Sequence, residues 1–193
     1  MSSDPPILTP QQRAALLAIA RGAIRSRVRG TPHSNDPFED PALKIPGAAF
    51  VTITCEGELR GCIGYVEAVK PLAEAVRHCA ASAATADPRF PPVTPDQLPR
   101  LRLEVSVLSP LRPITDAQEI RIGTHGLFIN QGGRHGLLLP QVATEYGWDR
   151  ETFLRQTCLK AGLPGDAWRR GATIQVFTVD HFTDDVPVDS PEA

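Results

Sequence analysis

Cys62 stands between two glycines, two places after an arginine, in Leu59-Arg60-Gly61-Cys62-Ile63-Gly64-Tyr65. A thiol attacks as its thiolate, and a guanidinium close by favours that form. Flanking glycines remove side chains and let a substrate or another backbone come near. Cys62 and Arg60 are therefore candidates for nucleophilic or covalent-carrier chemistry, with Arg60 stabilising the thiolate or holding an anionic substrate group. The plain alternative is a small residue filling a tight strand crossing. Such a site needs a proton carrier, and Glu104 and His135 are side chains of the right type. Each has an ordinary reading as well: a structural ion pair for Glu104, a solvated turn for His135.

Asp87-Pro88-Arg89-Phe90 reads either as a helix terminus with an ion pair or as charges lining the same site. Cys158, in Phe-Leu-Arg-Gln-Thr-Cys-Leu-Lys, falls on the apolar face of a helix, as Cys55 and Cys79 fall in apolar stripes. The 4 cysteines form no CxxC pair and the 5 histidines no HxH or HxxxH spacing. No metal site is expected from such spacings. Neither GxGxxG nor GxxxxGK[ST] occurs, so no nucleotide cofactor is implied. A net charge of −2 gives no bulk attraction to nucleic acid or anionic lipid. No apolar run approaches the ~18 residues of a membrane span. The N-terminus has neither a basic start nor an apolar signal core, so a cytoplasmic protein with reduced thiols is expected.

The elements that must position these residues follow from period and punctuation. Thr9-Pro10-Gln11-Gln12 has the form of a capping box with proline at the first helical position. Leu16, Ile19, Ala20, Ala23 and Ile24 then recur on one face, predicting a helix to about residue 28. A connection with four prolines follows. From Ala49 the period becomes two, predicting a hairpin through Gly57 into Leu59–Val66. A two-residue Glu56-Gly57 turn would put Arg60 opposite Ile53. A three-residue loop ending at Gly57 pairs Ile53 with Leu59 and Val51 with Gly61, and it better separates apolar from polar residues. It puts Cys62 on the polar face with Arg60, Gly64, Phe50 and Thr52.

Leu72, Val76, Cys79 and Ala83 predict a second helix, stopped at Asp87-Pro88. Strands are predicted over 101–107 and 173–179, with short ones near 119–122, 126–130 and 135–139. Helices are predicted from Pro140 and, capped by Asp149, up to Gly162. Residues 1–8 and 183–193 are expected to be disordered tails. Hairpins mixed with helices in no regular βαβ order argue for α+β with a mainly antiparallel sheet and flanking helices.

The ordered run of GAAFVTI, LRGCIG, ADPRF, LEVSVLSP, GLLLPQVATEYGW and FLRQTCLKAGLP resembles the AMMECR domain family. Its microbial members are called AmmeMemoRadiSam system protein A. The resemblance covers residues 9–182 as a single domain and implies a larger and a smaller lobe, with LRGCIG lining the space between them. It further implies partnership with a radical SAM enzyme and a Memo-like protein. Carried over by motif, the functional residues are Arg60, Gly61, Cys62 and Gly64, with Asp87, Arg89, Phe90 and Cys158 secondary. His135 falls in a variable part of its motif. The family supplies no established reaction. Two readings stay open: a binding or accessory subunit gripping a small molecule, a peptide or its partners, in which Gly61 and Gly64 give access and Arg60 charge; and an enzyme using Cys62.

Overall fold

A computed structural model describes residues 8–32, 40–184 and 188. They divide into two compact units, one holding residues up to 107 with those from 180 onward, the other holding 108–179. Each contains a four-stranded sheet with helices beside it, so the chain is α+β.

The first unit begins with α1, Pro10–Arg29, where Thr9 and Gln12 exchange side-chain and backbone hydrogen bonds as a capping box. The predicted stripe from Leu16 to Ile24 is buried, and Gly30 ends the helix at φ +67°. That left-handed conformation is one glycine adopts without penalty. The hairpin is β1, Ala48–Cys55, and β2, Glu58–Gly64. Next come α2, Leu72–Thr85, and β3, Leu101–Leu108. The last strand, β8, Val179–Asp184, closes the sheet in the order β2-β1-β3-β8. Leu16, Ile19 and Ile24 of α1 and Val76 and Cys79 of α2 share one core with Val51, Ile53, Leu103 and Val105. The helices thus cover one face of this sheet. Alternation sends Thr52, Thr54, Cys62, Arg102, Glu104, His181 and Thr183 to the other face.

The hairpin register differs from the expected one. Cys55 pairs with Glu58 across a two-residue turn, and a bulge follows, so that Thr54 faces Leu59 and Ile53 faces Gly61. Glu56 and Gly57 both have positive φ, 52° and 86°, as the tight hairpin turn matched to strand twist requires. Arg60 is the extra residue. The bulge restores the parity that the three-residue loop was expected to supply, and Cys62 faces Thr52, not Phe50 as that loop would have it.

The second unit holds β4, Arg112–Ile114; β5, Gly126–Gln131; β6, Arg134–Leu138; and β7, Thr173–Phe177. They form an antiparallel sheet in the order β4-β7-β5-β6. Two helices, α3, Pro140–Glu145, and α4, Arg150–Lys160, start at the predicted Pro140 and Asp149. The strand expected near 119–122 is absent. Asp116 accepts from the Gln118 N–H and winds a short 3-10 turn there. The sequence signal missed β4, which carries Pro113 on a sheet edge where no ladder N–H is needed.

Two ends of the expected tails are structured. Thr183 and Asp184 belong to β8, and Leu8 and Asp184 are buried, Asp184 as the ion-pair partner of Arg21. The other tail residues, Val188 apart, lie outside the described residues.

Two glycines of β2 are held by different neighbours. A Cβ added at Gly61 would overlap the Ala83 backbone carbonyl of α2; one added at Gly64 would overlap the Phe50 ring. Gly61→Ala should destabilise the protein by about 3 kcal/mol, because neither backbone can step aside. Gly64→Ala should be relieved in a Phe50→Leu background. Thermal melts of the two single variants and that double variant check this; equal losses for Gly61→Ala and Gly64→Ala, unrelieved by Phe50→Leu, would contradict it.

Candidate functional site

β2 is an edge strand, and an edge leaves a row of backbone donors and acceptors unpaired. At Cys62 that row is filled by the turn after α2. The Cys62 N–H donates to Asp87 Oδ2 at 2.9 Å, and Arg89 Nη2 donates to the Cys62 carbonyl at 3.1 Å. The same turn closes on itself. Asp87 Oδ1 accepts from the Arg89 backbone N–H at 3.1 Å and from its Nε at 2.9 Å, and Arg89 Nη2 reaches Oδ2 at 2.7 Å. Aspartate followed two residues on by a backbone donor is the Asx-turn pattern. Arg89 lies over the Phe90 ring, 5.3 Å from its centroid.

Asp87 is buried and Arg89 about half exposed. The Arg89 hydrogen bonds, followed by those from the Cys62 and Arg89 N–H groups, hold the Asp87 carboxyl well below the ordinary aspartate range despite burial. Asp87 in turn raises the Arg89 pKa, chiefly through the side-chain hydrogen bond, with a further Coulombic part from Cys62.

With its own N–H and C=O turned outward, Cys62 forms a non-hydrogen-bonded pair with Thr52, the type that brings opposed side chains closest. The Thr52 hydroxyl donates to Cys62 Sγ at 3.3 Å. The thiol is half-buried, whereas Cys55, Cys79 and Cys158 are buried. Burial raises the Cys79 pKa to about 11 and moves Cys158 upward too.

The other predicted residues are distributed as follows. Gly61 and Gly64 flank Cys62, facing α2 and Phe50. Arg60, on the bulge, has a buried Nε with no hydrogen-bond partner among the described residues; the guanidinium bound to Cys62 is that of Arg89. Glu104 shares the polar sheet face but sits on β3, two strands from β2. Neighbouring strands are spaced ~4.8 Å apart, so Glu104 stands roughly 10 Å from the cysteine strand. Its partner is His181 Nδ1, at 3.3 Å. Glu104 borders a cavity of about 240 Å³, lined also by Thr52, Thr54, Arg102 and Thr183. That volume falls below the roughly 300–1,000 Å³ of small-molecule sites.

His135 and Cys158 belong to the other unit. His135 is exposed on β6 and stacked on Phe128 at 5.7 Å. Cys158 is part of that unit's core with Phe153 and Leu154. Among the described residues no group of three or more His, Cys, Asp or Glu could hold a metal ion, and no helix is long and apolar enough to cross a membrane.

Comparison with known proteins places this architecture. The AMMECR1 family model matches residues 17–182, which include every residue of the β2 clamp. The chain belongs to the AMMECR1 family. A relative from Methanothermobacter thermautotrophicus is 47% identical over 168 residues, covering 83% of this chain and 88% of its own. Protein Mbar_A1807 of Methanosarcina barkeri is 47% identical over 190 residues, covering 94% of each. The crystal structure of uncharacterized protein PH0010 from Pyrococcus horikoshii superposes with a TM-score of 0.82 at 38% identity, over 89% of this chain and 91% of that one.

Sequence reasoning missed Thr52 as the partner of the sulfur and His181 as the partner of Glu104. Thr52 was visible on the correct face; His181 was hidden in a segment whose acidic and proline-rich end resembles a tail.

The clamp has a pH signature. The folded Asp87 pKa is lowered from the ordinary 3.8, so its contribution is complete above that range and is lost as pH falls through it toward the folded value. Asp87→Asn should destabilise by about 2 kcal/mol at pH 7, a figure kept low because Arg89 is half exposed. The gap between wild type and variant should narrow by pH 3. Urea unfolding at both pH values measures it; a gap unchanged at pH 3 would contradict the assignment.

Proposed function

We propose that this AMMECR1-family protein is a binding or accessory component that grips its target with the LRGCIG strand, acting with a radical SAM enzyme and a Memo-like protein. The observation that carries this reading is the way Cys62 is held. Asp87 and Arg89 occupy its backbone and a threonine hydroxyl occupies its sulfur. Glu104 is engaged by His181 across the sheet, which leaves it unsuited to take a proton from the thiol. Clamped edge residues make a rigid surface, and rigid surfaces lose little entropy on binding. Arg60 adds charge: a buried guanidinium nitrogen without a partner is stabilised when a ligand or partner brings an acceptor.

The enzymatic reading, with Cys62 as nucleophile or covalent carrier on a small anionic or acyl substrate, is favoured by one contact. The Thr52 hydroxyl donates to the half-buried sulfur at 3.3 Å, which orients it for attack on a bound substrate.

Co-purification of the full chain with the two partners separates these readings. Arg60→Ala should lose partner capture by tenfold or more, on the scale of a charge-assisted contact, while Cys62→Ser keeps it within about twofold. Equal loss in both variants would sink the binding-only version. Separately, brief iodoacetamide treatment of the native protein near neutral pH should modify Cys62 and spare Cys79 and Cys158, as peptide mass spectrometry reads out. If Cys62 reacts much faster than the same cysteine in the urea-unfolded chain, the enzymatic reading gains; if it reacts no faster, nucleophilic catalysis is excluded.

A further inference from the structure

On the helical side of the first unit, a cavity of about 570 Å³ opens between the C-terminal half of α1 and the first three turns of α2. It plays no part in the clamp at Cys62, and its volume lies within the range of small-molecule sites. Its wall is cationic. Arg27 comes from α1, Lys70 from the residues just before α2, and Arg77 and His78 from α2 itself. Against these stands one carboxylate, Glu74. The chain as a whole carries −2, so three fixed cations around one cavity are a local reversal of sign.

These cations are not consumed by one another's counter-ions. Arg77 Nε is buried with no hydrogen-bond partner among the described residues, a donor withdrawn from water with nothing to donate to. Arg27 uses its Nε on a neutral acceptor, Thr85 Oγ1, at 3.1 Å. Lys70 lies 5.1 Å above the Tyr65 ring centroid, and the Tyr65 hydroxyl is bound to His78 Nδ1 at 3.0 Å. Tyr65 therefore fixes two of the cationic walls without neutralising either. The carbonyl end of α1 would ordinarily repel an anion. Here the Gly30 and Thr31 N–H groups both turn back onto the Ser26 carbonyl, which blunts that effect.

We propose that this cavity binds a phosphorylated small molecule of sugar-phosphate or mononucleotide size. Guanidinium forks and an ammonium suit the several oxygens of a phosphate better than the two of a carboxylate. Ser26 and Thr31 lie in reach as neutral donors, and the methyl groups of Ala23 and Ala81 give the body of the ligand an apolar floor. Glu74 accepts from a ligand hydroxyl or amino group, which sets an ester above bare phosphate.

Isothermal titration calorimetry of the full chain tests this with AMP, ribose 5-phosphate and inorganic phosphate, against ribose and acetate. The phosphate esters should bind at least about tenfold more tightly than ribose or acetate, since a charge-assisted contact is worth roughly that factor. Arg77→Gln should weaken ester binding by about tenfold or more, whereas Arg100→Gln, an exposed cation paired with Glu56 away from the cavity, stays within about twofold. Should Arg77→Gln fail to fold, Arg27→Gln on the opposite helix carries the same expectation. Failure of both esters to bind, acetate binding as tightly as they do, or unchanged ester affinity in a folded Arg77→Gln or Arg27→Gln protein would each overturn the proposal. None of these results bears on partner capture through Arg60, so the two readings fail independently.

Discussion

A single carboxylate ties the candidate site to the fold. Asp87 accepts from the exposed edge of β2 and from the side chain and backbone of Arg89, and Arg89 returns to the carbonyl of the same edge residue. The end of α2 thereby substitutes for the strand that would otherwise lie beyond β2. Without it, an unpaired edge would be open to pairing with other chains. Gly61 permits the arrangement, because α2 can deliver Asp87 only by bringing the Ala83 carbonyl against a residue with no side chain. Clamp, glycine and half-buried thiol are parts of one strand–helix contact.

Local signals carried much of this into the sequence. The caps at Thr9 and Asp149, the glycine stops and the apolar stripes of α1 and α2 depend on residues within one or two turns of one another. The hairpin shows where such reading ends. Alternation fixes which face a residue takes, and Cys62 does face Thr52's side of the sheet; it does not fix the register, since a tight turn plus a bulge and a longer loop give the same faces. Asp87 and Cys62 are 25 positions apart, and nothing short of the folded chain brings them together. β8 was obscured because one apolar residue, Phe182, anchors it while its buried Asp184 is neutralised by Arg21 from α1. A strand stabilised by a distant ion pair leaves no periodic trace.

The first unit thus presents two surfaces of opposite character. The helix-free side of its sheet offers hydroxyls, a thiol and the Glu104–His181 pair beside the smaller cavity of about 240 Å³. The α1–α2 side offers a larger cavity walled by cations. Both are built on α2, whose apolar stripe feeds the core while its outer residues line the cavity and its last turn meets Gly61.

The bulge at Arg60 also gives this segment slack in its length. Arg60 is the one position between Leu59 and Gly61 with no partner on β1, and a bulge takes up one extra residue without changing the sides beyond it. Losing that position would leave a regular ladder across the two-residue turn, with Gly61 still opposite Ile53 and Cys62 still opposite Thr52. The odd residue of the hairpin is therefore dispensable to pairing, and its side chain is the one in β2 that the ladder leaves uncommitted.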